Sequence, residues 1–277
     1  MVEVCLKNSF QYRFQQVKIK LSLLIGAYLT YQVIFILNFL LIFWLMKLAS
    51  WFSLSKDKRP ALIKALFGTP NLSVSERIHP IKIPLSLIIV KLFLSLSFLF
   101  LIILVSRTFL DLSKWHQVIL ISPIIYLLTE ALGGLGQLTG RLANLDLPAI
   151  HDHPLRSRTL SDFWGRKWNR WVQDWLRDIT SKYRKQPNKK LILTFLISGF
   201  FHELMVNLPY LMKFGESSFG NMMAYFTLQG FGLLLEKKIG HSLPSWLRRV
   251  YLWLVILIPA PLFLNHPLKL FLGLDHG

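Results

Sequence analysis

Hydrophobic and polar positions fall in long blocks along this chain. Residues 21–46 run for 26 residues without a charged side chain, and about 20 apolar residues suffice to cross a bilayer as a helix. Comparable runs occupy 83–106, 118–138, 191–212, 217–235 and 250–268. Lys91 interrupts the second near one end, where an ammonium can snorkel to the headgroups. The third holds Glu130 and a Gly133-Gly134 pair, the fourth His202 and Glu203, and the sixth Pro259 and Pro261. No period-two alternation competes. In lipid a helix pairs every backbone group within itself. The pattern therefore predicts an all-α, polytopic transmembrane bundle of about six spans.

The connections are basic. Loops 47–82, 139–190 and 236–249 carry most of the Lys and Arg, while 107–117 and 213–216 carry few, which assigns the three basic loops to one cytoplasmic side. Residues 1–20 are polar and basic, and the run after them is too long for a signal-peptide core. The alternation puts this N-terminal segment outside despite Lys7, Arg13, Lys18 and Lys20. Either the charge rule fails at that end, or 21–54 contains a hairpin or re-entrant segment.

Composition narrows the class further. The net charge is +18 over 277 residues, yet 53% of them are hydrophobic and 17% charged, against roughly 25% charged in soluble domains. A disordered basic tail would lack the Leu, Ile and Phe. A mean hydropathy of +0.45 argues against a soluble nucleic-acid binder, and no nucleic-acid partner is expected. The single Cys excludes a disulfide framework and a Cys-rich metal site. One membrane-embedded domain over 1–277 is expected, in the endoplasmic reticulum of a eukaryote or the inner membrane of a bacterium.

The loop 156–190 concentrates eleven Lys or Arg against three Asp, a net +8. Within it Trp164, Trp168, Trp171 and Trp175 recur at spacings of 4, 3 and 4, one stripe of an α-helix. Arg166, Arg170 and Arg177 fall opposite. This predicts an amphipathic helix in the membrane interface, capped by Ser161 or Asp162, with its rings in the lipid. An anchor held by anionic lipid accounts for most of it. Asn169 does not fit that reading. It lies on the shoulder with Gly165, Val172 and Leu176, and suits a pocket better than lipid.

His202 and Glu203 lie mid-span, where polar side chains mark function by default. HELMV is not HExxH, because residue 206 is Val, so a zincin site is excluded and no metal is expected. His151, Asp152 and His153 read as a solvated loop. Glu130 is a buried carboxylate or the end of its span, and His116 is interfacial. A neutral imidazole at His202 is a free base able to accept a proton; an interhelical hydrogen bond that only stabilises the bundle is the equal alternative.

Two segments taken together resemble a known family. Leu160-Ser161-Asp162-Phe163-Trp164-Gly165-Arg166-Lys167-Trp168-Asn169 and Phe195-Leu196-Ile197-Ser198-Gly199-Phe200-Phe201-His202-Glu203-Leu204 are similar to the SLxDFWGRRWN and FLVSGLxHEL patterns of the wax synthase branch of the membrane-bound O-acyltransferase superfamily. HPIKI at 79–83 and AYFTLQGFGLLLE at 224–236 extend the likeness to roughly residues 79–240. The resemblance implies acyl transfer from acyl-CoA, as co-substrate with no resident cofactor, to a lipid-soluble hydroxyl. A long-chain alcohol, giving wax esters, leads sterol and diacylglycerol as the acceptor. It also implies His202 as catalytic base, with Asn169 assisting in the same chamber. Trp164, Arg166, Lys167, Trp168, Arg170, Glu203 and Gln229 are further substrate-binding candidates. Arg166, Lys167 and Arg170 are expected to face the phosphates of acyl-CoA.

Two departures qualify the likeness. Gln229 stands where plant members have a His, and the spans are fewer than the superfamily commonly has, so an N-terminal part of the usual scaffold is expected to be missing, with a reduced acyl-acceptor tunnel or a need to homo-oligomerise as the consequence. A non-catalytic scaffold or lipid-binding relative is the alternative function, weakened because Asn169 and His202 are both present. A transporter is weakened by the absence of an internal repeat.

Overall fold

The computed structural model describes residues 30–54, 67–72, 83–108, 114–239 and 243–274, with single positions 26, 56 and 65. The N-terminal segment 1–20 and the HPIK of 79–82 lie outside them. Every regular element among the described residues is helical. Helices α1 (Thr30–Ser53), α2 (Leu85–Thr108) and α3 (Lys114–Leu142) come first. An irregular segment then leads to α4 (Arg170–Ile179). Helix α5 (Pro187–His202) passes through a π turn (Glu203–Asn207) into α6 (Leu208–Phe214), and α7 (Asn221–Ile239), α8 (Ser245–Leu257), α9 (Ala260–Phe263) and α10 (His266–Phe271) follow.

Among the described residues five stretches are long and apolar enough to cross a membrane: Thr30–Ser53, Leu85–Val105, Gln117–Leu142, Pro187–Phe214 and Ser245–Phe263. The protein is an integral membrane protein built as a helical bundle. The run at 217–235, expected as the fifth span, forms helix α7, with one face buried and Leu228, Phe231 and Leu235 exposed on the other. Its Tyr225, Phe226, Gln229, Leu233 and Glu236 are all buried, because it is enclosed by protein on the faces that carry them. Within 30–53 the chain is one unbroken helix, so a hairpin there is excluded. The prolines at 259 and 261 interrupt the last span as expected, separating α8 from α9.

Helix α7 is held at both ends by carboxylates. Glu203 is 1% exposed, and its Oε1 accepts the backbone N–H groups of Gly220 and Met223 at 2.8 and 3.0 Å. These are donors at the start of α7 that no helical carbonyl can reach. Its other oxygen accepts from the Asn207 amide. Asn207 in turn accepts from Asn265 at 3.0 Å, and Asn265 caps α10. Near the far end Glu236 accepts from the N–H groups of Leu160 and Ser161, tying α7 to the helical turn Leu160–Asp162. Along its length α7 lies close on α5: a Cβ on Gly199 would sit 3.1 Å from the Met223 backbone, the close approach that small residues permit between membrane helices.

The expected continuous tryptophan helix is broken. Thr159, not Ser161 or Asp162, caps its first turn. A π turn then runs from Phe163 to Lys167, Trp168 is extended, and Asn169 is left-handed with φ 39°. Only Arg170–Ile179 is a regular amphipathic helix. Its rings face protein, not lipid. Trp171 packs where a Cβ on Gly136 would come within 2.6 Å of it. Trp175 donates its indole N–H to the Met46 carbonyl at 3.0 Å and meets Phe201 edge-on at 5.3 Å. Helical periodicity reports which face is apolar, and tertiary contacts decide what covers it.

Glu236→Ala leaves two backbone donors unpaired. It is expected to lower stability by about 3 kcal/mol in thermal unfolding of the detergent-solubilised protein, with Glu236→Gln, which keeps one acceptor, losing about half as much.

Candidate active site

A single cavity of about 890 Å³ joins the two motif segments. Arg177, Arg184 and Lys190 line one end; Ile119, Phe263 and Leu264 contribute to its apolar remainder. Asn169, His202, Trp164 and Trp168 all line it. The sequence placed the first two 33 residues apart, and the fold brings them to one space.

His202 ends α5, immediately before the π turn. Its Nδ1 lies 2.7 Å from the Ser198 carbonyl oxygen. A carbonyl only accepts, so Nδ1 carries the proton and Nε2 keeps its lone pair. Nε2 has no hydrogen-bond partner among the described residues. The Phe226 ring lies 4.4 Å from the imidazole and Phe263 5.8 Å. The interhelical-bond alternative for His202 gains no support, since its bond is to its own helix. A π turn inserts one extra residue per turn and is common at functional sites; here each motif contains one.

Asn169 is the N-cap of α4. Its Oδ1 accepts from the Val172 N–H at 3.3 Å, and its left-handed backbone is one that Asn tolerates better than most residues. Capping consumes the oxygen. The amide Nδ2, a pure donor, is without a partner among the described residues.

His151 holds this geometry from behind. It is 4% exposed, and its Nδ1 accepts the Asn169 backbone N–H at 3.0 Å. Nε2 then bears the proton and donates to Thr129 Oγ1 at 2.8 Å, whose hydroxyl hydrogen points to the Ile125 or Tyr126 carbonyl, each 2.9 Å away. The ring lies 4.5 Å from Trp168 and 5.3 Å from Tyr126. Burial pushes its pKa down to about 4, so Nδ1 stays an acceptor at neutral pH. The solvated-loop reading holds for Asp152 and His153, which are exposed and face one another at 3.2 Å. It fails for His151, because the partner that buries it arrives from eighteen residues downstream and no local spacing announces it.

The remaining candidates lie outside the cavity wall. Gln229 is fully buried behind it, accepting the Trp164 indole N–H at 3.1 Å and donating to the Val255 carbonyl at 2.8 Å; it positions Trp164 against α8. Glu203 faces α7. Arg166 and Lys167 both pair with Asp162, at 3.0 and 3.3 Å, and Arg170 donates its backbone N–H to the Ile150 carbonyl. The cations that do line the cavity, Arg177, Arg184 and Lys190, were among the eleven of the basic loop, but composition could not separate them from the rest. Among the described residues no group of three His, Cys, Asp or Glu is placed to hold a metal.

Between pH 6.5 and 4 the unfolded chain protonates a histidine that the folded chain keeps neutral, so His151 makes stability fall as pH drops through that window. The melting temperature of wild type is expected to decline more steeply from pH 6.5 to 4 than that of His151→Asn, which keeps an acceptor near Nδ1 without titrating.

Comparison with known proteins agrees with this architecture. Residues 147–228 match the model of a family described as membrane bound O-acyl transferase family. The chain is 30% identical over 166 residues to an Arabidopsis thaliana protein named probable long-chain-alcohol O-fatty-acyltransferase 9. That match covers 56% of this chain and 44% of the relative, so it spans less than half of the relative's length. No solved structure matches the chain. The segment that builds most of the cavity, residues 147–228, is thus similar to the membrane bound O-acyl transferase family, and the wider match is to a protein named as an alcohol O-fatty-acyltransferase.

Proposed function

We propose that the protein is an acyl-CoA-dependent O-acyltransferase that esterifies a lipid-soluble hydroxyl, foremost that of a long-chain alcohol. The observation that carries this reading is the shared cavity: a histidine with a free Nε2 and an asparagine with a free amide N–H line one space that is basic at one end and apolar through most of its length.

Each part has a chemical use. Along α5 the twelve residues from Lys190 to His202 rise roughly 18 Å, a depth suited to the linear pantetheine arm of acyl-CoA, with its phosphates at Arg177, Arg184 and Lys190. The acyl chain occupies apolar wall. Ile119 and Leu257 line the cavity and are also exposed on the outer surface, which supports access for a hydroxyl acceptor directly from lipid. His202 Nε2 takes the hydroxyl proton as the oxygen bonds to the thioester carbonyl carbon. Asn169 Nδ2 donates to the developing oxyanion, a role favoured over orienting the alcohol as an acceptor because Oδ1 is engaged. Collapse of the intermediate breaks the C–S bond, and the leaving thiolate recovers the proton from His202. Ester and free CoA result, and no covalent enzyme intermediate is required.

Expression in a host lacking neutral-lipid synthesis, fed separately with fatty alcohol, sterol and diacylglycerol, tests the reading by lipid mass spectrometry. Wax ester is expected from the alcohol. His202→Ala is expected to abolish it with membrane insertion intact, and Asn169→Ala to reduce it roughly 100- to 1,000-fold, the usual cost of losing an oxyanion donor. Equal ester yield from wild type and His202→Ala would remove the catalytic assignment. No ester from any feeding favours a lipid-binding scaffold.

A further inference from the structure

A second concavity, of about 810 Å³, lies on the outer face of α8. Trp246, Val250, Trp253, Leu254 and Leu257 line it, at spacings of 4, 3, 1 and 3, which set them along one face of a helix. Two cations, Arg158 and Arg249, stand at the end nearer the α8 N-terminus. Both are exposed, and neither has an ion-pair partner among the described residues. The nearest acid along the chain, Asp162, is taken by Arg166 and Lys167, and Glu236 by two backbone donors.

We infer that this groove seats one anionic phospholipid of the surrounding bilayer. The charge is all at one end, and the track beyond it is apolar. From Trp246 to Leu257 the helix rises roughly 16 Å, close to one leaflet, half of the roughly 30 Å hydrocarbon core. A lipid therefore fits in its ordinary orientation, phosphate between the guanidinium groups and one acyl chain along Val250, Leu254 and Leu257. Two unpaired cations favour a lipid of net negative charge over a zwitterion, whose own ammonium would be repelled. The basic loops assign this end of α8 to the cytoplasmic side, where anionic lipid is concentrated.

The site also touches the cavity. Trp253 and Leu257 line both spaces, so the partition is one side chain thick there. Trp253 meets Phe163 edge-on at 6.1 Å, and Phe163 stacks on Trp168 at 5.4 Å. A lipid in the groove backs the wall that the motif segment forms. The binding inference does not rest on the acyl-transfer reading.

The test reads lipid retention alone. The full chain is reconstituted in nanodiscs of equal phosphatidylglycerol and phosphatidylcholine, extracted into detergent, purified, and its co-purifying lipid quantified by mass spectrometry. Wild type is expected to retain phosphatidylglycerol several-fold over phosphatidylcholine. Arg158→Gln with Arg249→Gln is expected to bring the ratio near one, and Arg158→Lys with Arg249→Lys to keep most of the enrichment. Leu254→Trp, which fills the track and leaves both cations, is expected to lower retention too. Absence of enrichment in wild type, or enrichment unchanged in the double Gln variant, would overturn the site. Enrichment unchanged in Leu254→Trp would overturn the groove as its seat. Monodisperse elution of each variant confirms that the comparison is between folded proteins.

Discussion

The geometry of the cavity depends on the two buried carboxylates that grip α7. Glu203 follows His202 directly and accepts the free N–H groups at the α7 N-terminus; Glu236, near the other end, accepts the N–H groups that begin the Asn169 segment. One helix is thereby fastened to both motifs. A peptide N–H in an apolar interior is costly when unpaired, so neither contact can relax without loss. Between them Gln229 joins Trp164 to α8. The distance from Asn169 to His202 is set through α7 and through α4, whose Trp175 meets Phe201 of α5.

Polar groups in this interior separate into two kinds. Asn207, Asn265, Gln229, Glu203 and Glu236 are paired with one another or with backbone, and they build the scaffold. His202 Nε2 and Asn169 Nδ2 have their sister atoms engaged, the one at Ser198 and the other at Val172. Each is thus fixed in orientation, His202 in tautomer as well, while its other nitrogen has no partner among the described residues. On the proposed acyl-transfer reading, such preorganisation needs no movement of the protein dipoles during reaction. His151 extends it by one shell, since a left-handed residue persists only where its surroundings over-determine it.

The bundle was legible in the sequence because lipid imposes one simple rule, that a long uncharged run must be helical. Among the described residues five of the six expected runs are helices long and apolar enough to cross a membrane, and the run at 217–235 is the half-buried helix α7. Hydropathy cannot tell which face of such a helix meets protein: α7 buries Tyr225, Phe226 and Gln229 and leaves Leu228, Phe231 and Leu235 exposed. Asn169 and His202 were visible as polar residues in apolar settings and as parts of recognisable motifs. His151 was not, because its meaning comes from a hydrogen bond to a backbone group whose position depends on the break at Trp168. Of the tryptophan stripe only Trp171 and Trp175 share one helix, and they face protein: rings in a period of 3.6 look the same whether lipid or Gly136 lies opposite.

Sequence alone therefore determined the solvent and the helical class, which follow from local composition and spacing, and singled out Asn169 and His202 as candidates through their motifs. Tertiary structure alone decided which cations reach the cavity, which polar side chains serve the scaffold, and which face of α8 is left as a groove. Those outcomes depend on which groups find partners. A side chain's charge and size are written in the chain, but whether a carboxylate is spent on a lysine, on a helix end or on nothing is settled only when distant segments meet.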